Sequence, residues 1–442
     1  MLSGIPPVKE VDAARLAVNL RDARARTLEL VCDLDDQQLI GPKLDIVNPM
    51  LWEIGHVAWF AENFIEQRVY EQAPLNDAAQ SLYDSIAIHH HERWDLPLLS
   101  REATFAYMQQ VLDALLQRLD RGRANALDSY LYQFAAFHED MHGEAFTWAR
   151  QTLAYPTPQL AVAGTSQAQS AAGALDGDVR VPGGEFLLGA PGDAPFVFDN
   201  EKWCHRVVLE SFQIAKAPVT NSQFAEFVID GGYERREFWT DAGWNWRDNN
   251  SAAHPVYWHY DEPATFTMRV FDQTLDLPAH QPVMHVNWYE ASAWCRWAGR
   301  RLPREAEWEA AAIGLATIDG SRLADEKRRY PWGNEAPEPG CAVLDSRTIG
   351  CVDVAAMADG DSAFGCRQMI GNVWEWCADV LTPYPGFTPD LYKEYSQTLF
   401  GTTRVLRGGA WTTRSRMISG LYRNYFDADR RDVFAGFRTC AL

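Results

Sequence analysis

The stretch AAFHEDMHGEAF, residues 135–146, carries two histidines in the pattern H-E-x-x-H. His138 and His142 stand four positions apart, and in an α-helix that spacing puts both imidazoles on one face, where they can chelate one metal ion. Apolar residues recur around them at helical spacing. The stretch therefore predicts a helix that carries a pair of metal-binding side chains.

Helical periodicity extends to both sides of this stretch, over residues 12–153. Four segments have apolar residues at the spacing of an amphipathic helix, and helices of this length predict an up-and-down bundle whose interior can hold a metal. The four segments are AARLAVNLRDARARTLELVCDL, MLWEIGHVAWFAENFIEQRVY, EATFAYMQQVLDALLQRLDRG and LDSYLYQFAAFHEDMHGEAFTWARQTL.

A third histidine, His56, lies in the second of these segments. Its neighbours Ile54 and Val57 indicate that it faces the bundle interior, where antiparallel packing can bring it to the pair. Three neutral imidazoles with an open coordination position suit iron, zinc or copper alike. The residues thus predict a three-histidine metal site and leave the identity of the metal open.

The pattern H-E-x-x-H is also typical of zinc proteases. A metzincin-type protease carries a third histidine further along the helix, where this chain has Trp148. A thermolysin-like protease needs a glutamate on a further helix, whereas Pro156 and a change of composition follow here. It is also possible for two such histidines to hold no metal. We favour the three-histidine site over both the protease and the metal-free pair.

The character of the sequence changes after the bundle. Residues 154–178 are rich in Ala, Ser, Gly, Gln and Pro with almost no charge, which is typical of a linker. Residues 179–442 then show strand-like segments such as VRVPGGEFLLGA and HRVVLESFQIAKAPVT, with frequent Gly, Pro and Trp. Helical spacing is found there in NSQFAEFVIDGG and WYEASAWCRWAGRRLPREAEWEAAA. This part is predicted to be an α+β domain with long irregular loops.

Composition narrows the class of protein. The chain has 442 residues, of which 47% are hydrophobic, and a formal net charge of −20. That charge argues against nucleic acid or an anionic membrane as a partner, because no basic stripe exists to neutralise phosphates. No segment has the roughly 18 apolar residues of a membrane span, and the first residues lack the pattern of a secretory signal. We therefore expect a cytoplasmic protein.

Several motifs resemble a known family. GHVAWF and HEDMHGEAFTWARQTLAYP are similar to the DinB-type bundle of ergothioneine-type sulfoxide synthases, whose pattern is H…H-x-x-x-H-x-E followed by an R-Q-T-L-like run. Residues 179–442 resemble the formylglycine-generating-enzyme-like (sulfatase-modifying factor) domain, an α+β fold of the C-type-lectin-like class. The matching stretches are VPGGEFLLG, APVTNSQFAEFV, HVNWYEASAWCRWAGRRLPREAEWEAAA, YPWGNE, MIGNVWEWCAD, RVLRGGAW and AGFR.

The resemblance implies a particular chemistry. It implies a non-haem iron(II) centre held by His56, His138 and His142, which activates dioxygen and joins sulfur or selenium to C2 of the imidazole of hercynine (trimethylhistidine). Neutral ligands leave the iron net positive, with open positions for dioxygen and the donor. A formylglycine-generating enzyme proper binds copper through two cysteines, and the matching positions here are Ser419 and Asn424. That oxidase activity is therefore not expected.

The resemblance also implies where hercynine binds. The family's Asn-aromatic contact corresponds to Asn424, Tyr425 and Phe426, and a further contact corresponds to Tyr384. Aromatic rings suit a trimethylammonium group because cations are attracted to π-faces. The alternative is that Tyr425 and Phe426 pack a core. The family's glutamine just before the last metal ligand is Met141 in this chain.

The positions that bind the donor in the thiol-using enzymes differ here. The acidic residue of the γ-glutamylcysteine type is replaced by Phe426 and its catalytic tyrosine by Leu381, and Arg93 is the remaining candidate for its paired arginines. The cysteine-using type carries a Tyr-Tyr pair where this chain has Ile86 and Ala87. A less ionic donor explains these differences best, which favours the relatives that use a selenosugar, the selenoneine synthases.

Three alternatives to that activity stay open. One is an ergothioneine-type synthase that uses cysteine or γ-glutamylcysteine. Another is a metal-dependent thiol transferase, since other DinB-like bundles transfer thiols, but that function leaves the second domain without a task. A non-catalytic C-type-lectin-like binding module is the third, and the histidine triad argues against it.

Two further features have open roles. His89, His90 and His91 are expected in a loop between helices, either as solvated surface or with one imidazole entering the cleft as a proton donor, since histidine titrates near neutrality. Asn372 and Glu375, in GNVWEW, carry side-chain oxygen atoms that suit a calcium ion or, alternatively, ordinary loop hydrogen bonds.

Overall fold

The protein is represented by a computed structural model that describes residues 9–122, 124–164, 171–261 and 265–442. Its contacts divide into two compact units. One comprises the chain up to Ala161 together with Gly192–Val197, and the other comprises Val162–Pro191 and Phe198–Leu442. Across the described ranges, no helix combines the length and the apolar character that crossing a membrane requires.

The first unit contains the four predicted helices and two short ones between them. Their bounds are α1 Ala13–Val31, α2 Asp36–Ile40, α3 Met50–Ala61, α4 Ala79–Tyr83, α5 Arg101–Arg121 and α6 Ala126–Thr152. Helix α1 packs along α6, while α3 packs against α4, α5 and α6. The predicted helical bundle is confirmed, with α3 in contact with most of its members.

Helix α3 is the most deeply buried helix of this unit. Every residue from Met50 to Ala61 is buried, as expected for a helix that is apolar on all its faces. The predicted segment continued to Tyr70, but a π-helical turn follows α3 over Glu62–Gln67. In that turn the buried Glu62 carboxylate accepts a hydrogen bond from the Tyr107 hydroxyl.

The second unit is an α+β domain, as predicted. Its helices are α7 Asn221–Ile229, α8 Asp241–Asn249, α9 Trp288–Trp297 and α10 Glu305–Ile313. Its strands are β1 Asp178–Val181, β2 Gly184–Leu188, β3 His205–Leu209, β4 Phe212–Ala215, β5 Trp258–Asp261, β6 Thr265–Val270, β7 Gln273–Asp276, β8 Arg300–Arg301, β9 Gly314–Ala316, β10 Leu323–Lys327, β11 Trp374–Val380, β12 Arg404–Arg407, β13 Asn424–Phe426, β14 Ala435–Gly436 and β15 Cys440–Ala441.

Two four-stranded sheets form the frame of this unit. One has the order β1-β4-β15-β8 and the other the order β13-β12-β11-β14. Neighbouring strands are antiparallel, except that β11 and β14 run parallel. The hairpins β2-β3 and β9-β10 and the three-stranded sheet β5-β6-β7 complete the strand pairing of the described residues.

The structure corrects the predicted helices of the second unit at two places. Helix α8 was not predicted, although Thr240 caps it by accepting a hydrogen bond from the Gly243 amide. The stretch predicted as one helix over residues 288–312 is two helices, α9 and α10. Gly299 adopts a left-handed φ of +65° after α9, β8 follows, and Pro303 precedes α10. A left-handed residue and a proline both end helical geometry.

The predicted linker, residues 154–178, is described in part. Residues 154–164 and 171–177 form no helix or strand, and residues 165–170 lie outside the described residues. The segment Gly192–Val197, predicted within the second domain, groups with the first unit. There Phe196 stacks on Tyr130 and meets the edge of Phe137, both on α6.

Gly55 marks a position of α3 that has no room for a side chain. A Cβ at Gly55 would lie 2.2 Å from Cε1 and Cζ of Tyr83, whose side chain is completely buried. We expect Gly55→Ala to lower the free energy of unfolding of the bundle by about 1–3 kcal/mol, as in other overpacked cores. The change is measured by thermal and denaturant unfolding followed by circular dichroism.

Gly143→Ala on α6 is the matched control. A Cβ there would meet Leu30 Cδ1 at 3.7 Å, an ordinary contact, and alanine is favoured over glycine within a helix by about 0.5–1 kcal/mol. Its stability should therefore equal or exceed that of the unmodified protein. An unchanged unfolding midpoint for Gly55→Ala would contradict the packing described.

Candidate metal centre

His56 is fixed in α3 by a hydrogen bond to a later part of the chain. Its side chain is 2% exposed, and its Nδ1 lies 2.8 Å from the backbone carbonyl oxygen of Tyr83. Because a carbonyl oxygen can accept only, Nδ1 carries the hydrogen and Nε2 keeps its lone pair. Histidines that bind metals usually have this arrangement, with one nitrogen on the metal and the other donating to a carbonyl or carboxylate.

His138 and His142 project from α6 toward His56. Their ring centroids lie 5.1 and 5.0 Å from that of His56 and 4.7 Å from each other. One nitrogen from each of the three rings lies within 4.8 Å of the other two. Three converging imidazoles from two helices fit a metal ion that keeps coordination positions open for other ligands.

Burial keeps two of these imidazoles in the form that binds metal. Burial lowers the pKa of His56 well below its usual value, and the neighbouring His142 lowers it further. The pKa of His138 is lowered in the same way, by burial and then by His142 and His56. Since a histidine must be neutral to bind a metal, protons compete at these two residues only at pH values well below the ordinary histidine range.

Aromatic rings pack against the triad. Trp52, one turn before His56 on α3, stacks on that imidazole with ring centroids 4.9 Å apart and planes 9° from parallel. Phe60, one turn after His56, stacks on His138 at 3.7 Å and 10°. These rings restrict the rotation of the imidazoles and provide the apolar surroundings that control solvent access to a metal site.

A chain of polar side chains leads from His142 to Arg93. The Glu53 side chain is buried, and its Oε2 lies 3.6 Å from His142 Nδ1. The Asn48 amide Nδ2 donates to Glu53 Oε1 at 2.6 Å, and Arg93 Nη1 donates to Asn48 Oδ1 at 2.7 Å. The guanidinium of Arg93 also lies over the Trp52 ring, 3.9 Å from its centroid.

Sequence reasoning missed these surrounding groups. Glu53 stands three positions before His56, and side chains at that spacing share a helix face, so E-x-x-H was an available signal. Trp52 stands four positions before His56 and was available in the same way. No signal pointed to Asn48, which lies before α3 and outside its helical spacing, or to the Tyr83 carbonyl, which comes from a segment 27 positions after His56.

Glu139 is placed differently from the general base of a zinc protease. In H-E-x-x-H proteases the glutamate acts beside the metal. Here Glu139 is buried and paired with Arg24 of α1, with Nε to Oε1 at 2.8 Å and Nη2 to Oε2 at 3.3 Å. The ion pair joins α1 to α6 and argues against a zinc protease.

Two residues predicted to bind substrate lie in the first unit. Arg93 is half-buried, and besides Asn48 its guanidinium reaches the carbonyl oxygens of Ser85 at 3.5 Å and Ile88 at 3.4 Å. Met141 is half-buried on α6, next to His142. The predicted role of Arg93, binding the donor's carboxylates, would compete with these contacts.

The histidine run lies between α4 and α5, as predicted. His89 and His91 are exposed, and His91 Nε2 is 3.6 Å from an Asp45 carboxylate oxygen. His90 is half-buried, with Nε2 at 2.8 Å from the carbonyl oxygen of Leu44. These surroundings agree with the alternative that the three histidines are solvated surface groups. Their role as proton donor stays a prediction.

The Asn-aromatic sequence forms β13 in the second unit, paired with β12. Asn424 Oδ1 accepts from the backbone amide of Tyr425 at 2.8 Å, and the Tyr425 hydroxyl donates to the carbonyl oxygen of Tyr395. The guanidinium of Arg430 lies 5.2 Å from the centroid of the Phe426 ring. All three side chains of β13 are half-buried, so their predicted role in hercynine binding stays open.

Tyr384 belongs to a buried ionic cluster in the same unit. Its side chain is 5% exposed, its hydroxyl donates to Glu305 Oε1 at 3.3 Å, and the guanidinium of Arg423 lies 4.0 Å from its ring centroid. Burial raises the pKa of Tyr384 well above its usual value. Tyr384 is therefore a protonated donor at neutral pH, and its predicted contact with substrate stays a prediction.

The two residues considered for calcium are engaged by hydrogen-bond donors. Asn372 Oδ1 accepts from the backbone amide of Val352 at 3.0 Å. The Glu375 carboxylate accepts from Trp308 Nε1 at 2.7 Å and from Arg438 Nε at 2.6 Å. These contacts agree with the alternative that both residues make ordinary loop hydrogen bonds. A calcium ion would have to displace them.

Comparison with known proteins agrees with this architecture. Residues 19–146 match the DinB superfamily, and residues 163–441 match the sulfatase-modifying factor enzyme 1-like domain. The chain is similar to the hercynine oxygenase of Mycolicibacterium thermoresistibile, with 38% identity over 96% of this chain and 94% of that protein. Its identity to the hercynine oxygenase of Mycobacterium tuberculosis is 37%, over 96% of this chain and 98% of that protein.

A shorter similarity involves the second unit. The formylglycine-generating enzyme of Streptomyces coelicolor is 34% identical over 53% of this chain and 78% of that protein. A DinB bundle with a three-histidine cluster, joined to a sulfatase-modifying factor domain, defines a class of oxidative enzymes. Within that class, the chain belongs to the family formed by the hercynine oxygenases, which it matches over nearly its full length.

Removing a triad histidine should abolish tight metal binding. In His138→Ala one of three converging ligands is lost. Loss of a group that only hydrogen-bonds to a ligand lowers metal affinity by roughly 10- to 100-fold, so the affinity for iron(II) should fall by more than that. Iron content after anaerobic loading and desalting measures the effect. His259→Ala changes an exposed histidine of β5 and should keep full occupancy. Full occupancy in His138→Ala would contradict the assignment.

Proposed function

We propose that this protein is an iron(II)- and dioxygen-dependent enzyme that joins the selenium of a selenosugar to C2 of the hercynine imidazole. The observation that carries the proposal is the convergence of His56, His138 and His142. Hercynine is inferred from the hercynine oxygenases that match nearly the whole chain. The selenosugar is inferred from the residues that stand at the donor positions of the thiol-using enzymes.

The donor set suits iron in this reaction. Iron bound by the three imidazoles would supply the activation of dioxygen that oxidises the chalcogen donor. The protein's own groups hold the ligand rings in place, through the Tyr83 carbonyl on His56 and the rings of Trp52 and Phe60. With all three ligands neutral, no coordinating carboxylate offsets the charge of the metal or occupies a further position.

The proposed reaction balances with one molecule of dioxygen. The C2–H bond of the imidazole and the Se–H bond of a selenol donor break, and a C–Se bond forms. One oxygen atom is transferred to selenium, and the other leaves as water with both hydrogens. The organic substrates together lose four electrons, which is the number that reduction of dioxygen takes up.

Apolar side chains support the less ionic donor. Phe426 and Leu381 stand where the γ-glutamylcysteine-using enzymes have an acidic residue and a tyrosine, and Leu381 is completely buried. Arg93, the remaining cation for a donor carboxylate, is engaged by Asn48, Ser85 and Ile88. The charges of a zwitterionic thiol need compensation when they are desolvated, and the apolar side chains of Phe426 and Leu381 offer none.

A sulfur-using activity is the second candidate. It joins hercynine to cysteine or γ-glutamylcysteine by the same oxidative chemistry, with a thiol in place of the selenol. The hercynine oxygenases that match at 37–38% identity over nearly the whole chain support hercynine as a substrate for this candidate equally. Metal-dependent thiol transfer differs from both candidates because it consumes no dioxygen.

Oxygen uptake separates these activities. The protein is loaded with iron(II) under anaerobic conditions and mixed with hercynine and one donor at a time: a selenosugar, cysteine or γ-glutamylcysteine. We expect rapid oxygen uptake with the selenosugar and uptake slower by about 10-fold or more with either thiol. A 10-fold difference in rate corresponds to about 1.4 kcal/mol in the activation barrier. Mass spectrometry identifies the product by the selenium isotope pattern. Faster uptake with a thiol would favour the second candidate, and no uptake with any donor would exclude both.

The histidine run tests the proton-donor hypothesis. If one of His89, His90 and His91 supplies a proton in turnover, replacing it with alanine should lower kcat by about 10²–10⁴-fold, the usual contribution of acid–base catalysis. Each single variant and the triple variant are assayed by oxygen uptake. Full turnover of the triple variant would remove these residues from the mechanism and leave them as surface groups.

A further inference from the structure

We propose that Arg93, Asn48 and Glu53 are positioning residues of the metal centre, which hold His142 and, through Trp52, also His56. The inference rests on the proposed role of the histidine triad and deepens it. Under this inference, Arg93 positions the metal ligands and does not bind the carboxylate of the donor. The four groups and both ligands belong to the helical unit.

The first arm of this arrangement is a chain of side chains that is hydrogen-bonded as far as Glu53 and ends beside His142. Arg93 Nη1 donates to Asn48 Oδ1 at 2.7 Å, and Asn48 Nδ2 donates to Glu53 Oε1 at 2.6 Å. The free end of the carboxylate, Oε2, lies 3.6 Å from Nδ1 of His142. A carboxylate facing one nitrogen of an imidazole makes that nitrogen the protonated one, so the other nitrogen presents its lone pair to a metal.

The amide of Asn48 passes the charge of Arg93 along this chain. Its oxygen faces a cation and its nitrogen faces an anion, so both hydrogen bonds are charge-assisted and polarise the amide in the same direction. The positions of Asn48 and Glu53 are thereby coupled. A shift of the guanidinium would be transmitted to the carboxylate and from there to the ring of His142.

The second arm is a stack of planar groups that ends on His56. The guanidinium of Arg93 lies 3.9 Å from the centroid of a Trp52 ring, and Trp52 in turn stacks on the imidazole of His56 at 4.9 Å. The Trp52 indole is fixed from a third side, because Nε1 donates to the Leu82 carbonyl oxygen at 2.6 Å. One guanidinium therefore contacts groups that orient two of the three ligands.

Charge balance gives a reason for a carboxylate at this place. Glu53 is 5% exposed, and a buried carboxylate is costly unless positive charge lies close to it. Arg93 acts on it from the far side of the Asn48 amide. A divalent metal bound by His142 would place further positive charge on the other side. A bound metal and the buried Glu53 side chain should therefore hold each other in place.

The other contacts of Arg93 fit a positioning role. Its Nη2 reaches the carbonyl oxygens of Ser85 at 3.5 Å and Ile88 at 3.4 Å, both in the segment that follows α4. Four groups of the same unit therefore fix the plane of the guanidinium, namely these two carbonyl oxygens, the Asn48 amide and the Trp52 ring. These contacts hold the guanidinium within its own unit.

The test measures metal affinity without any substrate. Cobalt(II), which reports its coordination by visible absorption, and iron(II) under anaerobic conditions are titrated into the full-length metal-free protein against a competing chelator. Glu53→Gln should weaken the binding of both metals by roughly 10- to 100-fold and change the cobalt spectrum, because it replaces the negative charge 3.6 Å from His142 Nδ1 with a neutral amide. Glu53→Asp should recover part of the affinity.

Arg93→Met should weaken cobalt binding as well, and Arg93→Lys should do so less. In the double variant of Arg93→Met and Glu53→Gln, the fold-loss of cobalt affinity should be smaller than the product of the two single fold-losses. Both substitutions act through one chain of contacts. Glu62→Gln is the matched control. Glu62 is completely buried just after α3, and its partners are the Tyr107 hydroxyl and the Leu75 amide. Its change should leave cobalt affinity and spectrum unaltered.

The competing role of Arg93 gives the opposite pattern. If Arg93 binds the donor, Arg93→Met raises the KM for the donor while cobalt affinity and spectrum stay unchanged, and that result overturns the proposal. Unchanged metal affinity in both Glu53→Gln and Glu53→Asp overturns it as well. No substrate enters the metal titrations, so weaker metal binding in the Glu53 variants supports the inference independently of turnover. Absence of oxygen uptake with every donor would refute the proposed function and leave this inference standing.

Discussion

The geometry of the three-histidine cluster depends on the complete burial of α3. A helix that packs on every side has one position and one rotation about its axis, so the direction of each of its side chains is fixed by its neighbours. His56 therefore reaches His138 and His142 at a set distance, with Trp52 and Phe60 packed on the imidazoles. Gly55 contributes by letting Tyr83 approach closely enough for its carbonyl oxygen to accept from His56.

Local spacing made part of this centre predictable. His138 and His142 share a helix face because of their separation alone, and the apolar neighbours of His56 indicated the side of α3 that is buried. The groups around the ligands were harder to predict because they come from separate segments. Asn48 precedes α3, Arg93 follows α4, and their contact with Glu53 depends on the path of both segments. Hydrophobic periodicity carries no information about such a path.

The second unit shows the same limit for its backbone. Strands β8, β14 and β15 have two residues each, too few for an alternating pattern, and they are defined by the neighbours with which they pair. The end of α9 at Gly299 was visible in the sequence as a glycine, but a continuous run of helical spacing outweighed it. Periodicity predicted the α+β class of this unit, and resemblance to a family predicted its particular fold.

The position of Glu53 has a consequence for the chemistry open to the centre. A carboxylate in direct contact with iron would fill a coordination position and lower the net charge, as in centres with two histidines and one carboxylate. Glu53 instead lies 3.6 Å from His142 Nδ1. From there it would offset the charge of a bound metal through the imidazole and would leave open the coordination positions that the proposed reaction requires. If the proposed reaction binds two substrates beside the metal, a carboxylate that lies outside the ligand set leaves room for both of them.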